Sequence, residues 1–136
     1  MATIKSYSDL QQSKKLAEIL PLESADMKWY FWKDEIDAPK TPTFGYSKTA
    51  AESYKDTEAV YLPCWSLASL LEQFPYELCD DDGNSSYLQM NKEDDVYQLV
   101  YEDPHGDFES IETDRYEHFV DACVEMILKL KGFNIL

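Results

Sequence analysis

Three short stretches of this chain hold residue types able to do chemistry. Cys64 stands before Trp65 and Ser66, where an apolar strand-like run gives way to a helical one. Helix N-terminal amides at such a junction can lower a thiol's pKa and make a nucleophile. No spacing pairs Cys64 with His105 or His118 as a base, and cysteine is also a common small core residue. His105 lies between Asp103 and Asp107, where a carboxylate could orient an imidazole for acid–base work or join a metal site. Pro104 and Gly106 equally mark that segment as a surface turn. The run from Asp80 to Ser86 puts Asp80, Asp82 and Asn84 at the first, third and fifth positions of a calcium loop. Ser85 then stands where that loop needs glycine and Asn91 where it needs a bidentate acid, so a glycine-containing turn before a strand is expected. The chain has no phosphate-binding glycine loop, nucleophile elbow or paired-histidine zinc motif. No catalytic residue, cofactor or metal ligand is assigned.

Charge is more informative. The chain of 136 residues has 12 Lys and Arg against 27 Asp and Glu, a net charge of -15. Residues 72 to 117 hold 15 of those acids and only Lys92 and Arg115, while the flanking parts are nearly balanced. Such a block repels phosphates, so direct nucleic acid binding through it is not expected, whereas a basic protein surface would be attracted. A solvated acidic face that keeps the protein soluble is the plainer explanation of the same residues.

Aromatic residues add a second surface candidate. Trp29, Tyr30, Phe31 and Trp32 are consecutive and cannot all face one core. In a strand, Trp29 and Phe31 point one way and Tyr30 and Trp32 the other. The second pair then needs cover from elsewhere in the chain, from a partner or from a ligand.

Several elements must position these residues. Ser8 and Gln11 read as a capping box for a helix over about Asp9 to Leu20, stopped by Pro21. Met27 to Trp32 and Ala59 to Pro63 read as strands, separated by a loop at about 33–58 that includes Pro39, Pro42 and Gly45. Ser66 caps a helix whose apolar residues run to Phe74, before Pro75. Tyr87 to Met90 and Val96 to Tyr101 read as a hairpin around Asn91 to Asp95. Last, Tyr116, Phe119, Val120, Cys123, Val124, Ile127 and Leu128 recur at helical spacing, with Asp114 as the N-cap, His118 on the polar stripe and Gly132 as the stop. The order helix, strand, strand, helix, strand, strand, helix predicts a single α+β domain over 1–136, with an antiparallel sheet of about four strands covered by helices.

The length permits burial of roughly two-thirds of the unfolded surface without disulfides or metal. The opening residues lack the apolar run of a secretory signal, and no stretch approaches a membrane span. Three cysteines without paired spacing point to reduced thiols and a cytoplasmic location.

Three stretches carry a resemblance. They are Ser13 to Pro21 with Ala25-Asp26-Met27, Pro63 to Ala68, and Asp121 to Leu130. Together they resemble a family of short uncharacterised proteins from gut bacteria, often associated with phage-derived or mobile DNA. The resemblance implies a bacterial cytoplasmic protein and carries over no activity, cofactor or site residue.

The sequence therefore points to a non-enzymatic domain that binds another macromolecule. Its candidate surface is Asp80, Asp81, Asp82, Glu93, Asp94, Asp95, Glu102 and Asp103, with Tyr30 and Trp32. An enzyme or small-molecule binder with an aromatic-lined pocket near Trp32 and Cys64 is the alternative. A nucleic-acid mimic, which needs carboxylates spaced like phosphates along one face, is a third.

Overall fold

A computed structural model of the chain describes residues 5–35, 40–103, 105–106 and 109–136. Two compact units divide it: Ser6–Ser69, and Leu70–Leu136 together with Lys5. Both combine helix with antiparallel strands, as the α+β reading requires. The sheet expectation is corrected in one respect, because the strands form a three-stranded and a four-stranded sheet rather than one. The additional strands are two or three residues long, too short for local alternation to reveal, and exist only through their pairing partners.

The unit Ser6–Ser69 begins with α1 (Leu10–Ala17). Its N-cap is Asp9, not Ser8: the Asp9 carboxylate accepts from Gln12 N at 2.8 Å, and Gln12 Oε1 accepts from Asp9 N at 3.0 Å. Ser8 is instead fully buried, its hydroxyl accepting from Trp65 N at 3.1 Å. The helix is shorter than expected, ending before Leu20. β1 (Met27–Trp32) matches its expected span and lies between β2 (Thr43–Phe44) and β3 (Ala59–Cys64). Met27 pairs with Cys64 and Trp32 with Ala59, so the β1–β3 ladder uses every residue of both strands. Pro63, which has no amide hydrogen, is tolerated because β3 is an edge strand. Met27, Trp29, Phe31 and Cys64 form the core of this sheet's inner face, with Tyr7, Leu10, Val60 and Leu62 packed against it.

Within the expected loop at 33–58, the described residues 33–35 and 40–58 include regular elements that composition does not suggest. A helical turn at Lys33–Glu35 follows β1, and α2 (Lys48–Tyr54) precedes β3. Ser47 caps α2, its hydroxyl accepting from Ala50 N at 3.2 Å. The helix has good formers at Ala50, Ala51 and Glu52 but no apolar stripe, so periodicity could not show it. Pro39 lies outside the described residues.

The division between the units falls within α3 (Leu67–Leu71). Ser66 caps this helix as expected, accepting from Ser69 N at 3.2 Å. It stops short of Phe74, as Gln73 N and Phe74 N tighten back onto Leu70 O and Leu71 O. The unit Leu70–Leu136 then builds a sheet in sequence order from β4 (Glu77–Cys79), β5 (Ser85–Glu93), β6 (Val96–Glu102) and β7 (Ile111–Glu112). The β5–β6 hairpin is longer than expected, and its turn shrinks to Asp94 and Asp95 at φ 50° and 64°. Two left-handed residues suit the twist of a two-residue hairpin, and aspartate tolerates that region better than most residues.

α4 (Phe119–Gly132) packs on β6 and buries Val120, Cys123, Ile127 and Leu130. Two of its expected boundaries are corrected. Asp114 is no cap, because Tyr116 pairs in extended form with Tyr97 and holds this stretch outside the helix, and His118 takes the N-cap position without a side-chain bond. Gly132 is not the stop either. Asn134, at φ 60°, takes the left-handed position, with Ile135 N donating to Leu130 O and Asn134 N to Lys131 O.

Candidate functional site

The outer face of β1 presents Lys28, Tyr30 and Trp32, and register decides what covers each. Tyr30 faces Tyr61 across the ladder, with ring centroids 6.1 Å apart. Tyr54, at the end of α2, lies 5.1 Å from Tyr30 and stacks on Tyr61 at 5.4 Å and 20°. Tyr46 adds a fourth ring, 5.4 Å from Tyr61. The Tyr61 hydroxyl accepts from Ser47 N at 3.0 Å, which ties the start of α2 to the sheet. A hydrogen bond with Tyr54 pushes the Tyr30 phenol's pKa up, and burial does the same for Tyr46. Tyr46 and Tyr54 from the segment between β1 and β3 pack around Tyr61 and against one side of Tyr30, yet Tyr30 remains 42% exposed, so the cover is partial.

Trp32 is exposed to a similar degree but has no aromatic neighbour across the ladder. Its cross-strand neighbour is Ala59, too small to shield an indole, and Trp32 stays 46% exposed. A hollow of about 230 Å³ beside it is lined by Asp34, Glu35 and Glu58. Lys33 N donates to Glu58 O at 2.7 Å, which continues the ladder by one step and sets Glu58 beside the end of β1. The hollow therefore combines one accessible π face with three carboxylates. Asp34 and Glu35 could have been noticed as acids directly after Trp32. Glu58 could not, since only the pairing of β3 brings it there.

The described lysines show how rings are used elsewhere. Lys40 Nζ lies 4.9 Å from the centroid of Phe31, Lys92 Nζ 5.4 Å from that of Tyr97 and Lys28 Nζ 5.8 Å from that of Tyr61. Trp32 has no such cation among the described residues, although indole is the strongest of these π acceptors.

In the other unit, the eight acids named from the sequence do not form one patch. Asp80, Asp81 and Asp82 lie at the β4–β5 turn, and Glu102 and Asp103 lie at the same end of the sheet, where β6 finishes. Glu93, Asp94 and Asp95 lie at the β5–β6 turn. β5 has nine residues, so the two groups are roughly 27 Å apart along the strand. Between them the strand carries Gln89, Met90, Asn91 and Lys92 rather than a row of acids. Asp80 spends its carboxylate on the turn, accepting from Asp82 N, Asn84 N and Asn84 Nδ2 at 2.8–3.0 Å. The Asn84 side chain leads in holding the Asp80 pKa below its usual range. Asp103 is 7% exposed and accepts from His105 N at 2.8 Å, so it belongs to its turn, not to the surface. Asp81, Asp82, Asp94, Asp95 and Glu102 remain exposed. Glu93 meets Arg115 only at 4.0 Å, with both side chains largely solvated.

The chemical candidates separate in space. Cys64 and Trp32 are at opposite ends of the β1–β3 ladder, and Cys64 is fully buried on the inner face, so no pocket near Trp32 includes it. Its thiol approaches Ser8 O at 3.4 Å, and burial pushes its pKa up, the reverse of nucleophile activation. His105 sits exposed in a turn closed by Gly106 N donating to Asp103 O, while Pro104 and Asp107 lie outside the described residues. Among the described residues, no group of three or more His, Cys, Asp or Glu side chains could hold a metal ion. A second hollow, about 450 Å³ and mostly apolar, lies between β7 and the end of α4, lined by Ile111, Glu112, Lys129, Phe133 and Ile135 among others. Lys129 Nζ is engaged there, donating to Glu112 O at 2.5 Å.

No family model, curated protein or solved structure matches the chain. No helix among the described residues is long and apolar enough to cross a membrane.

Proposed function

We propose that this protein binds another protein through its negative charge, and that the partner presents a basic surface. One observation carries the reading: the β5–β6 hairpin ends at both extremities in exposed carboxylates, and the two cations of the segment leave them uncompensated. Lys92 lies over Tyr97, and Arg115 reaches Glu93 only at 4.0 Å. The two acidic ends are separated by more than the Debye length of about 8 Å at physiological salt, so each acts as its own field. Attraction of this kind speeds encounter more than it deepens affinity and is weakened by salt. Three free cysteines suit a reducing compartment such as the cytoplasm.

The test is calorimetric binding of a Lys-Gly repeat peptide at low and at physiological salt. Wild type is compared with D81N/D82N/D94N/D95N and with E18Q/E23Q/E52Q/D56N, a control of equal charge change in the other unit. The reading expects salt-sensitive binding that the hairpin variant loses and the control largely keeps. Equal losses in both variants, or no binding to wild type, would overturn it.

A further inference from the structure

We infer that the hollow beside Trp32 seats a single cationic side chain, a lysine or arginine, from a basic segment of the partner. The inference rests on the proposed function for the partner's charge, but its residues and its unit differ from those of the acidic hairpin. Three features of the hollow support it. Trp32 offers an accessible indole face at the end of β1, and Tyr30 stands 6.3 Å away and tilted by 59°, so the two rings form an open corner. Asp34, Glu35 and Glu58 line the same space, supplying the negative charge that holds a cation over a ring. The volume of about 230 Å³ falls below the ~300–1,000 Å³ of drug-sized ligand pockets, which suits the end of one long side chain better than a whole small molecule.

Lys28 and Lys40, the two cations seated on rings of this sheet, do not take this place. Lys40, the nearest in sequence beyond the turn, has its ammonium over the inner-face ring of Phe31 and donates to the Glu35 carbonyl. A cation is thus drawn to this end of the sheet, but on the side of the strand away from Trp32. Lys28 lies over Tyr61 on the outer face, at the opposite end of β1 from Trp32. An arriving lysine or arginine would meet a half-exposed indole with three carboxylates lining the same hollow.

The three tryptophans make the test selective. Trp29 and Trp65 are 5% and 0% exposed, so collisional quenching reports on Trp32. Relative to their effects on free tryptophan amide, caesium, a cation, should quench this fluorescence more strongly than iodide in the wild-type protein, and D34N/E35Q/E58Q should reduce that preference. Added Lys-Gly or Arg-Gly repeat peptide should protect Trp32 from acrylamide, while a Glu-Gly peptide should not. W32A should weaken peptide binding roughly fivefold or more, and W32F, which keeps a ring, should weaken it less. Circular dichroism confirms that the variants remain folded. If the peptide binds but leaves Trp32 unprotected, and W32A binds it as tightly as wild type, the inference is overturned while the charge reading stands. If W32A loses binding but neutralising the hairpin does not, the inference stands and the charge reading fails. No peptide binding at low salt overturns both.

Discussion

The buried polar network beneath β1 allows a quantitative test of what holds the Ser6–Ser69 unit together. Trp29 Nε1–H donates to Ser13 Oγ at 3.1 Å, and Ser13 Oγ lies 2.8 Å from Ser8 Oγ. Both serines are fully buried, so water cannot substitute for a lost partner. Replacing Ser13 by Ala leaves the indole N–H as an unpaired buried donor, which costs about 1–3 kcal/mol. Ser8 Oγ keeps its bond from Trp65 N at 3.1 Å and its contact with Cys64 Sγ, so its loss adds little. The expected destabilisation is therefore about 2 kcal/mol. Trp29→Phe removes the donor itself, and in that background Ser13→Ala should cost about 1–2 kcal/mol less than in wild type. Urea unfolding followed by far-ultraviolet circular dichroism measures all four corners of the cycle, with the m-values showing whether cooperativity is preserved. A Ser13→Ala cost of less than about 0.5 kcal/mol, or the same cost in both backgrounds, would show that the network does not bear on stability as argued.

Four further outcomes are expected. A thiol reagent should modify Cys79 alone in the native protein and all three cysteines after unfolding, because Cys64 and Cys123 are buried and burial pushes the Cys123 pKa up to about 12; rapid native labelling of a second thiol would contradict this. Replacing Asp94-Asp95 by Asn-Gly should raise the urea midpoint by an amount equivalent to about 0.5–1 kcal/mol, since glycine carries no penalty at positive φ. Ser86→Ala should be neutral or stabilising by up to about 1 kcal/mol in the same assay, because the buried Ser86 hydroxyl has no partner among the described residues and a clear loss would mean that it has one. For Asp26, partial burial alone would raise the pKa, but hydrogen bonds from the side chain and backbone of Ser66 and from Ser69 outweigh it and hold the carboxyl below its ordinary 3.8. A depressed carboxylate stabilises fully above its unfolded pKa and loses that contribution as pH falls through the folded one. The stability gap between wild type and Asp26→Asn should therefore narrow from pH 6 to below about pH 3, as read from urea midpoints.

Legibility in the sequence depended on whether an element's signal was local. β1 was readable to the residue because alternation through Met27 to Trp32 is a property of six adjacent side chains. α4 was readable as a helix from its apolar spacing, but its ends were not. Tyr116 is held extended by Tyr97, nearly twenty positions away, and the stop depends on which residue turns left-handed. α2 had a serine cap and helix formers but no stripe, and β2, β4 and β7 had no alternation long enough to count.

The candidate sites divide in the same way. Composition and spacing alone established that acids gather in residues 72–117, that Tyr30 and Trp32 turn away from Trp29 and Phe31, and that no known catalytic motif is present. Only the tertiary structure decided that the acids separate to the two ends of a hairpin, that Asp80 and Asp103 are committed to turns, and that Cys64 is sealed inside. Only the structure put Glu58 beside Trp32 with Ala59 opposite it. The side to which a residue points follows from chain chirality and strand geometry over a few bonds. What it meets there depends on register between segments far apart in sequence, and no local pattern encodes it.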